Sequence, residues 1–425
     1  MWIKQLSSFI KGSVPPDLFK SVVETFLTRI LLIIIGLATS ILVTRTLGPE
    51  GRGLFAMTVA VGALGVQFGN LGFHSSNTFY VARDRSFLPS LLGNSMAVSF
   101  GFGSLVALLA GLFFFFFPDL APVHGTLLII GLAWIPLGLA YLLSQNLLIG
   151  IQKFRANNKI ELCSKIFYVA LIGLLILWNS VSPFTIFSGS FIALGLSFIW
   201  VFQKLRQHSH HSISLSKSLF ARGLRYGFKA YMGSLFAFLL LRVDLLMINE
   251  MLGSKEAGFY DLAVNLANMV YILPNVVATI LFPKLCALKN TRDKWIMSRN
   301  TGIILIFMMF VGCLALSLIA HPLLGFLYGS AFLPSALIFI ILMGSKLVIT
   351  ASQLFGNFIA SVHVPWTAVP YGGFLCLLNI GLNLIFIKQY GMAGAAAASV
   401  ICFGLLIPFN FYYSRKYLRS SDFDG

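Results

Sequence analysis

Leu47-Gly48-Pro49-Glu50-Gly51-Arg52-Gly53-Leu54-Phe55 returns 205 residues later as Leu252-Gly253-Ser254-Lys255-Glu256-Ala257-Gly258-Phe259-Tyr260, in a chain of 425 residues. The shared pattern is Leu-Gly-x4-Gly followed by two large apolar residues. Each copy forms a short polar turn between two long apolar segments, and each stands near the start of one half of the chain. This placement reads as an internal duplication: two related bundles in a membrane, an arrangement that usually frames a pathway between the halves. The glycines Gly48, Gly53, Gly253 and Gly258 are expected to serve structure, by permitting a tight turn and a close helix approach.

Composition supports the membrane reading. At 58% hydrophobic, 14% aromatic and 10% charged residues, the chain falls outside the range of soluble globular domains. A bilayer core of about 30 Å needs roughly 20 apolar residues per helix. Segments of that kind are expected at 22–43, 54–73, 91–117, 126–149, 160–178 and 184–202, then at 228–251, 259–285, 301–320, 333–362, 367–387 and 392–413. The expected fold is therefore an all-α integral membrane protein of twelve transmembrane helices, in two six-helix lobes around a central cavity. Residues 1–206 form the N-terminal lobe, 207–227 a cytoplasmic basic linker and 228–425 the C-terminal lobe. The first twenty residues carry Lys4, Lys11, Lys20, Pro15 and Pro16 and lack the apolar core of a cleavable signal. Cys163, Cys286, Cys313, Cys376 and Cys402 are scattered, with no metal spacing and no disulfide framework.

The net charge of +17 invites a nucleic-acid reading, but its distribution opposes one. With the amino terminus on the cytoplasmic side, 23 of the 30 Lys and Arg residues fall inside. Arg45, Arg52, Lys255 and Lys388 fall outside, and Arg29, Arg242 and Lys346 fall within spans. This is the positive-inside asymmetry, and it predicts both termini in the cytoplasm. Both Leu-Gly-x4-Gly turns then face outward, so the repeats are parallel. His208, His210 and His211 lie in the linker, where an H-x-H-H tract without acidic or Cys neighbours reads as a solvated segment rather than a metal site.

Charge inside a span costs about 2.5–3.5 kcal/mol at the helix centre. The three cations there, Arg29, Arg242 and Lys346, are candidate ligands for an anion such as a phosphate. The alternative is ion pairing within the bundle or snorkelling to an interface. Neither arginine has an obvious partner on its own helix. Glu24 and Arg29 are five residues apart and only loosely share a face, while Arg242 and Asp244 point to nearly opposite faces. Asp244, Asp261 and Glu24 are candidates for ion coupling, although the two aspartates lie near the outer ends of their helices, where a structural role is the preferred reading. The amides Gln67, Asn70, Gln145, Asn146, Gln353, Asn357, Asn379 and Asn383 either meet sugar hydroxyls or link helices. Gln145, Asn146, Gln353 and Asn357 join the cations as expected substrate contacts. There is no phosphate-binding loop, no HExxH, no GxSxG and no close carboxylate pair. Catalytic residues, metal and cofactor are therefore expected to be absent.

Beyond these readings, Thr44-Arg45-Thr46-Leu47-Gly48-Pro49-Glu50-Gly51-Arg52-Gly53 resembles the first outer turn of polysaccharide and O-antigen flippases of the multidrug/oligosaccharidyl-lipid/polysaccharide exporter superfamily. Arg242-Val243-Asp244 with Ala257-Gly258-Phe259-Tyr260-Asp261, Leu281-Phe282-Pro283-Lys284, Asn379-Ile380-Gly381-Leu382-Asn383 and Tyr390-Gly391-Met392-Ala393-Gly394 are similar to later motifs of that family. The resemblance implies a MATE-like fold whose lobes open alternately to each side. It implies a substrate of undecaprenyl pyrophosphate carrying an oligosaccharide, flipped across a bacterial inner membrane for O-antigen, capsule or exopolysaccharide synthesis. It also implies membrane lipids, a glycan polymerase and chain-length regulators as partners, with no nucleic acid. Three rivals remain: a multidrug/cation antiporter of the same superfamily, which prefers acidic cavity residues; a membrane glycan polymerase or ligase, which needs substantial outer loops; and a scaffold without transport activity, which leaves unpartnered buried cations as an unexplained cost.

Overall fold

The computed structural model describes residues 16–209 and 212–421, and every regular element among them is helical. Lys4, Lys11, His210 and His211 lie outside the described residues. The first half runs α1 (Pro16–Gly69), α2 (Phe73–Arg83), α3 (Leu88–Met96), α4 (Gly103–Phe116), α5 (Gly125–Gly150), α6 (Phe154–Leu177) and α7 (Pro183–Gln207). The second runs α8 (Lys217–Leu240), α9 (Val243–Leu252), α10 (Ser254–Val270), α11 (Ile272–Ala287), α12 (Thr291–Leu318), α13 (Ala320–Tyr328), α14 (Ser335–Val362) and α15 (Ala368–Ser421).

Among the described residues, 10 helical stretches are long and apolar enough to cross a membrane. Sequence reading separates spans at 43–54 and 387–392, and α1 and α15, 54 residues each, kink there into two helical arms. The reason is local. Gly48 (φ 66°, ψ −178°) and Gly391 (φ 60°, ψ −142°) alone leave helical geometry, in a region that glycine enters without steric cost. A straight helix of that length would reach about 80 Å, far beyond a hydrocarbon core of about 30 Å. Gly253 (φ 100°, ψ 171°) makes the same kind of turn between α9 and α10. The sequence repeat is thus a backbone repeat as well.

Other breaks fall inside the apolar stretches. Pro274 has no N–H, and its ring crowds the carbonyl four residues earlier, so α10 ends at Val270 and α11 restarts past Tyr271. A second break at Leu241–Arg242 separates α8 from α9 without any proline or glycine nearby. A π-helical segment, Ala97–Phe102, carries α3 into α4.

In the first half α1 packs on α5, α6 and α7; in the second, α14 packs on α10, α12 and α15. The halves join chiefly where α1 meets α10 and α2 meets α8. Ala56, Met57 and Val61 share one buried cluster with Phe259, Ala263 and Leu266. Lipid tails are as apolar as leucine, so helices in a bilayer associate through close shape fit and small residues. The two repeats provide that fit. A Cβ on Gly53 would land on the carbonyl oxygen of Ser254, and one on Gly258 would land on that of Pro49.

Between the halves, residues 212–215 are exposed, and the segment is also hydrogen-bonded to α3. Asn94 Nδ2 donates to Ser216 O and Asn94 Oδ1 accepts from Ser216 N, both at 3.0 Å. Ser90 and Ser214 hydroxyls lie 3.0 Å apart. Ser216 also caps α8 by accepting from Leu219 N, so the cap and the clamp on α3 are one structure.

Candidate functional site

The charges that enter the spans form four separate groups. In the first, α1 and α6 exchange crossed ion pairs. Arg29 Nη1 lies 2.8 Å from Glu161 Oε1, and Arg155 Nε lies 2.6 Å from Glu24 Oε2. Arg29 therefore has a partner that sequence reasoning missed, because Glu161 is 132 residues away. Its side chain remains 45% exposed, and Glu161 Oε2 has no hydrogen-bond partner. Exposed pairs are worth about 0–1 kcal/mol, so an incoming phosphate can compete with the carboxylate. Glu24, a candidate for ion coupling, is already neutralised by Arg155.

The second group surrounds Lys346 on α14, which is only 4% exposed. Its Nζ donates to Asn268 Oδ1 at 2.8 Å and sits 5.7 Å from the centre of the Tyr271 ring. The Tyr271 hydroxyl donates to Gln353 Oε1 at 3.2 Å. Lys346 and Gln353, seven residues apart, share one face of α14, and the break at Tyr271 brings that ring to them. All these partners are neutral, and among the described residues no carboxylate pairs with Lys346. Met269 Cε lies 4.0 Å from an ideal Cβ on Gly36, two turns along α1 from Arg29. Asn268, the partner of Lys346, thus precedes a residue that faces α1 two turns from Arg29. Gln145 and Asn357 are half-buried. Asn146 instead links helices, donating to Leu142 O at 2.9 Å and accepting from Thr78 Oγ1 at 3.3 Å.

The third group follows the break before α9. Arg242 is half-buried at that break and makes no ion pair among the described residues. Sequence reading puts Asp244 toward the end of an unbroken helix; the break makes it a first-turn residue, where free N–H groups favour a carboxylate. Asp244 is buried and accepts from Asn383 Nδ2 at 2.7 Å, from the Tyr260 hydroxyl at 2.9 Å and from the Ser399 hydroxyl. Asn383 Nδ2 also reaches Asn379 Oδ1 at 3.1 Å. Asn379 Nδ2 and Asn383 Oδ1 are left without partners.

In the fourth group Arg52, which sequence reading places on the outer side, is 5% exposed, and Asp261 is equally buried. They pair across the halves, with Nη2 at 2.7 Å and Nε at 2.9 Å from Asp261 Oδ2. Arg52 Nη1 also donates to Thr44 Oγ1 at 3.3 Å. Asp261, held this way, is not free to bind a coupling ion while the pair stands. Nearby, the Arg45 guanidinium donates to Leu327 O at 2.8 Å and to Phe326 O.

Arg29, Arg242 and Lys346 thus have distinct surroundings, and none touches another. A separate open groove of about 540 Å³ runs between the halves. Val61, Leu64, Phe68, Phe114 and Leu246 line it, with Asn249 and Glu250 as its polar members. None of the three cations reaches it.

The polysaccharide biosynthesis protein family matches residues 18–289. The probable low-salt glycan biosynthesis flippase Agl15 of Haloferax volcanii is 24% identical over 216 residues, 49% of this chain and 45% of that protein. The matched stretch therefore spans about half the length of that curated relative. Among solved structures, lipid II flippase MurJ in an inward closed conformation superposes with a TM-score of 0.73 at 19% identity, covering 93% of this chain and 87% of that one. A multidrug resistance MATE family transporter of the MOP superfamily, inward-facing, gives 0.73 at 13% identity, covering 92% and 95%. These likenesses show a MATE/MurJ-like fold. The chain belongs to the polysaccharide biosynthesis protein family, and part of it is similar to a probable glycan flippase.

Proposed function

We propose that this member of the polysaccharide biosynthesis protein family flips undecaprenyl-pyrophosphate-linked oligosaccharides from the cytoplasmic to the outer leaflet of a bacterial inner membrane, by alternating access, for O-antigen, capsule or exopolysaccharide synthesis. The observation that carries this reading is Lys346, a buried ammonium whose Nζ meets an amide oxygen and an aromatic face. A buried charge without a counter-ion is costly, and an anionic ligand removes that cost. Arg29 exchanges its carboxylate for phosphate. Arg242 is the third anion contact, and Gln145, Gln353 and Asn357 meet the sugars. The lipid chain runs in the apolar groove between the halves, away from the cations.

The topology we assign is twelve crossings in two six-helix lobes, residues 1–206 and 228–425, with both termini cytoplasmic. The breaks at Gly48 and Gly391 support it, since each turns one 54-residue helix into two arms. Asp244 is the coupling group. It is a buried carboxylate bonded only to neutral donors, with the unsatisfied Asn383 Oδ1 beside it, and it takes up a proton or a small cation during the cycle.

The test is leaflet transfer of a lipid-pyrophosphate-linked oligosaccharide in proteoliposomes under proton and sodium gradients. Wild type transfers it, Lys346→Gln and Arg29→Gln lower the rate roughly tenfold or more, and Asp244→Asn loses stimulation by the gradient. Drug efflux without glycan transfer would assign the chain to the antiporter class instead.

A further inference from the structure

The polar groups that close the turn end of the molecule are divided unevenly between the halves. Both charged donors, Arg45 and Arg52, belong to the first half. All their cross-half acceptors belong to the second: the Asp261 carboxylate, and the Phe326 and Leu327 carbonyls in the last turn of α13. Behind them, Gly53 and Gly258 press backbone against backbone, and the Tyr328 hydroxyl donates to Ser40 Oγ at 3.4 Å. Parting the halves at this end removes both guanidiniums from their acceptors in one movement. The first half is then left with two unpaired cations beside the Gly48 turn, and Thr44 remains next to one of them. Two guanidinium forks on one rim suit an anion with several charged oxygens, and a diphosphate offers them.

We infer that Arg45 and Arg52 form an exchangeable diphosphate site, latched onto Asp261 and the α13 carbonyls while the turn end is closed and occupied by the pyrophosphate of the lipid substrate once it opens. The substrate's identity rests on the flippase reading; the anion chemistry of the two arginines does not. A ligand moves an equilibrium only through its different affinity for the two states. Arg45 is exposed and Arg52 buried while the turn end is closed, so a diphosphate that engages both guanidiniums only after parting opens the turn end, while Asp261 keeps it shut in the ligand's absence. The site also gives transport a second station. Arg29 and Arg45 stand on the same arm of α1, about 24 Å apart along its axis, so the pyrophosphate passes from one end of that arm to the other.

The experiment uses full-length protein in liposomes, with Cys163→Ala and Cys286→Ala removing the described cysteines that are not buried. Ser254→Cys, beside Gly53, reports opening through its alkylation by a membrane-impermeant maleimide. The probe is inorganic pyrophosphate, with sulfate at equal ionic strength as control. Pyrophosphate is expected to raise the alkylation rate about tenfold, and sulfate to leave it unchanged. Asp261→Asn raises the rate without ligand and lowers the pyrophosphate concentration needed for half-effect. Arg45→Gln/Arg52→Gln raises the rate without ligand and abolishes the response. No response in the parent protein, or a response that persists in the double arginine variant, overturns the inference. The parent's response needs no latch substitution, so misfolding of a variant does not protect the idea. A pyrophosphate response without transfer of any lipid-linked glycan would sink the flippase reading and leave the anion site standing. Transfer without that response would do the reverse.

Discussion

At the turn end, Gly53 and Gly258 bring the halves together beside the buried Arg52–Asp261 pair; at the opposite end, Gly72 and Gly227 do the same beside neutral groups. There the Tyr231 hydroxyl donates to Phe68 O at 3.2 Å and Gln67 Nε2 to Ser234 Oγ at 3.3 Å. The backbones approach alike, since a Cβ on any of these four glycines would collide with the other half. The polar groups differ in kind. Removing one partner of a buried ion pair costs about 3–5 kcal/mol, whereas a neutral hydrogen bond is worth about 0.5–1.5 kcal/mol. Glycine thus sets how closely the halves approach, and charge sets how hard each end is to part.

The largest effect is expected from Asp261→Ala, which strands the Arg52 guanidinium in a buried site. Thermal unfolding in detergent should report a loss of about 3–5 kcal/mol, and replacing both partners with apolar residues of similar volume should recover most of it. If Asp261→Ala costs no more than a neutral hydrogen bond, the contrast between the two ends collapses. Gly258→Ala and Gly227→Ala come next. Each places a methyl on a carbonyl of the other half, and each should cost about 1–3 kcal/mol. Similar losses at the two ends would confirm that backbone fit is shared; a large difference would assign the asymmetry to shape instead.

Tyr231→Phe should cost about 0.5–1.5 kcal/mol, measured the same way, and so should fall below Asp261→Ala. The smallest effect is a pH dependence confined to the opposite end. His74 follows Gly72 by two residues, and its ring nitrogens lie 2.6 Å from Asn70 Nδ2 and 2.9 Å from the Ser75 hydroxyl. Burial pushes the imidazole below its ordinary value near 6.5. The unfolded chain therefore binds the proton more readily than the folded one. The stabilisation is complete above about pH 6.5 and declines as the pH falls below it. Melting curves from pH 8 to 5.5 should show that decline in wild type, and a shallower one in His74→Asn.

Some of this was legible along the chain. Gly48 and Gly253 announce themselves because glycine after leucine at a polar turn marks a backbone that other residues resist. The end of α10 at Val270 lies four residues before Pro274, the offset at which a proline ring crowds a helix carbonyl. The break at Leu241–Arg242 has no such marker, and it carries Asp244 into a new helix start. Arg29, Lys346 and Asp244 stood out as charges in apolar surroundings. Their partners did not, since Glu161 sits 132 residues from Arg29 and Lys346 takes Asn268 from 78 residues away. Arg52 and Asp261 each read as a residue near a helix end, and only their meeting makes them a buried pair.

Sequence by itself determined the class of the molecule and its family, because hydropathy and turn residues are properties summed locally along the chain. Tertiary structure decided which charges are spent on one another and which remain. Arg52 is neutralised by a residue 209 positions away, while Lys346 is left with neutral partners. The physical reason is that, in lipid, helix faces are matched by the fit of small residues such as Gly53 and Gly258, and that fit fixes which distant side chains come within reach.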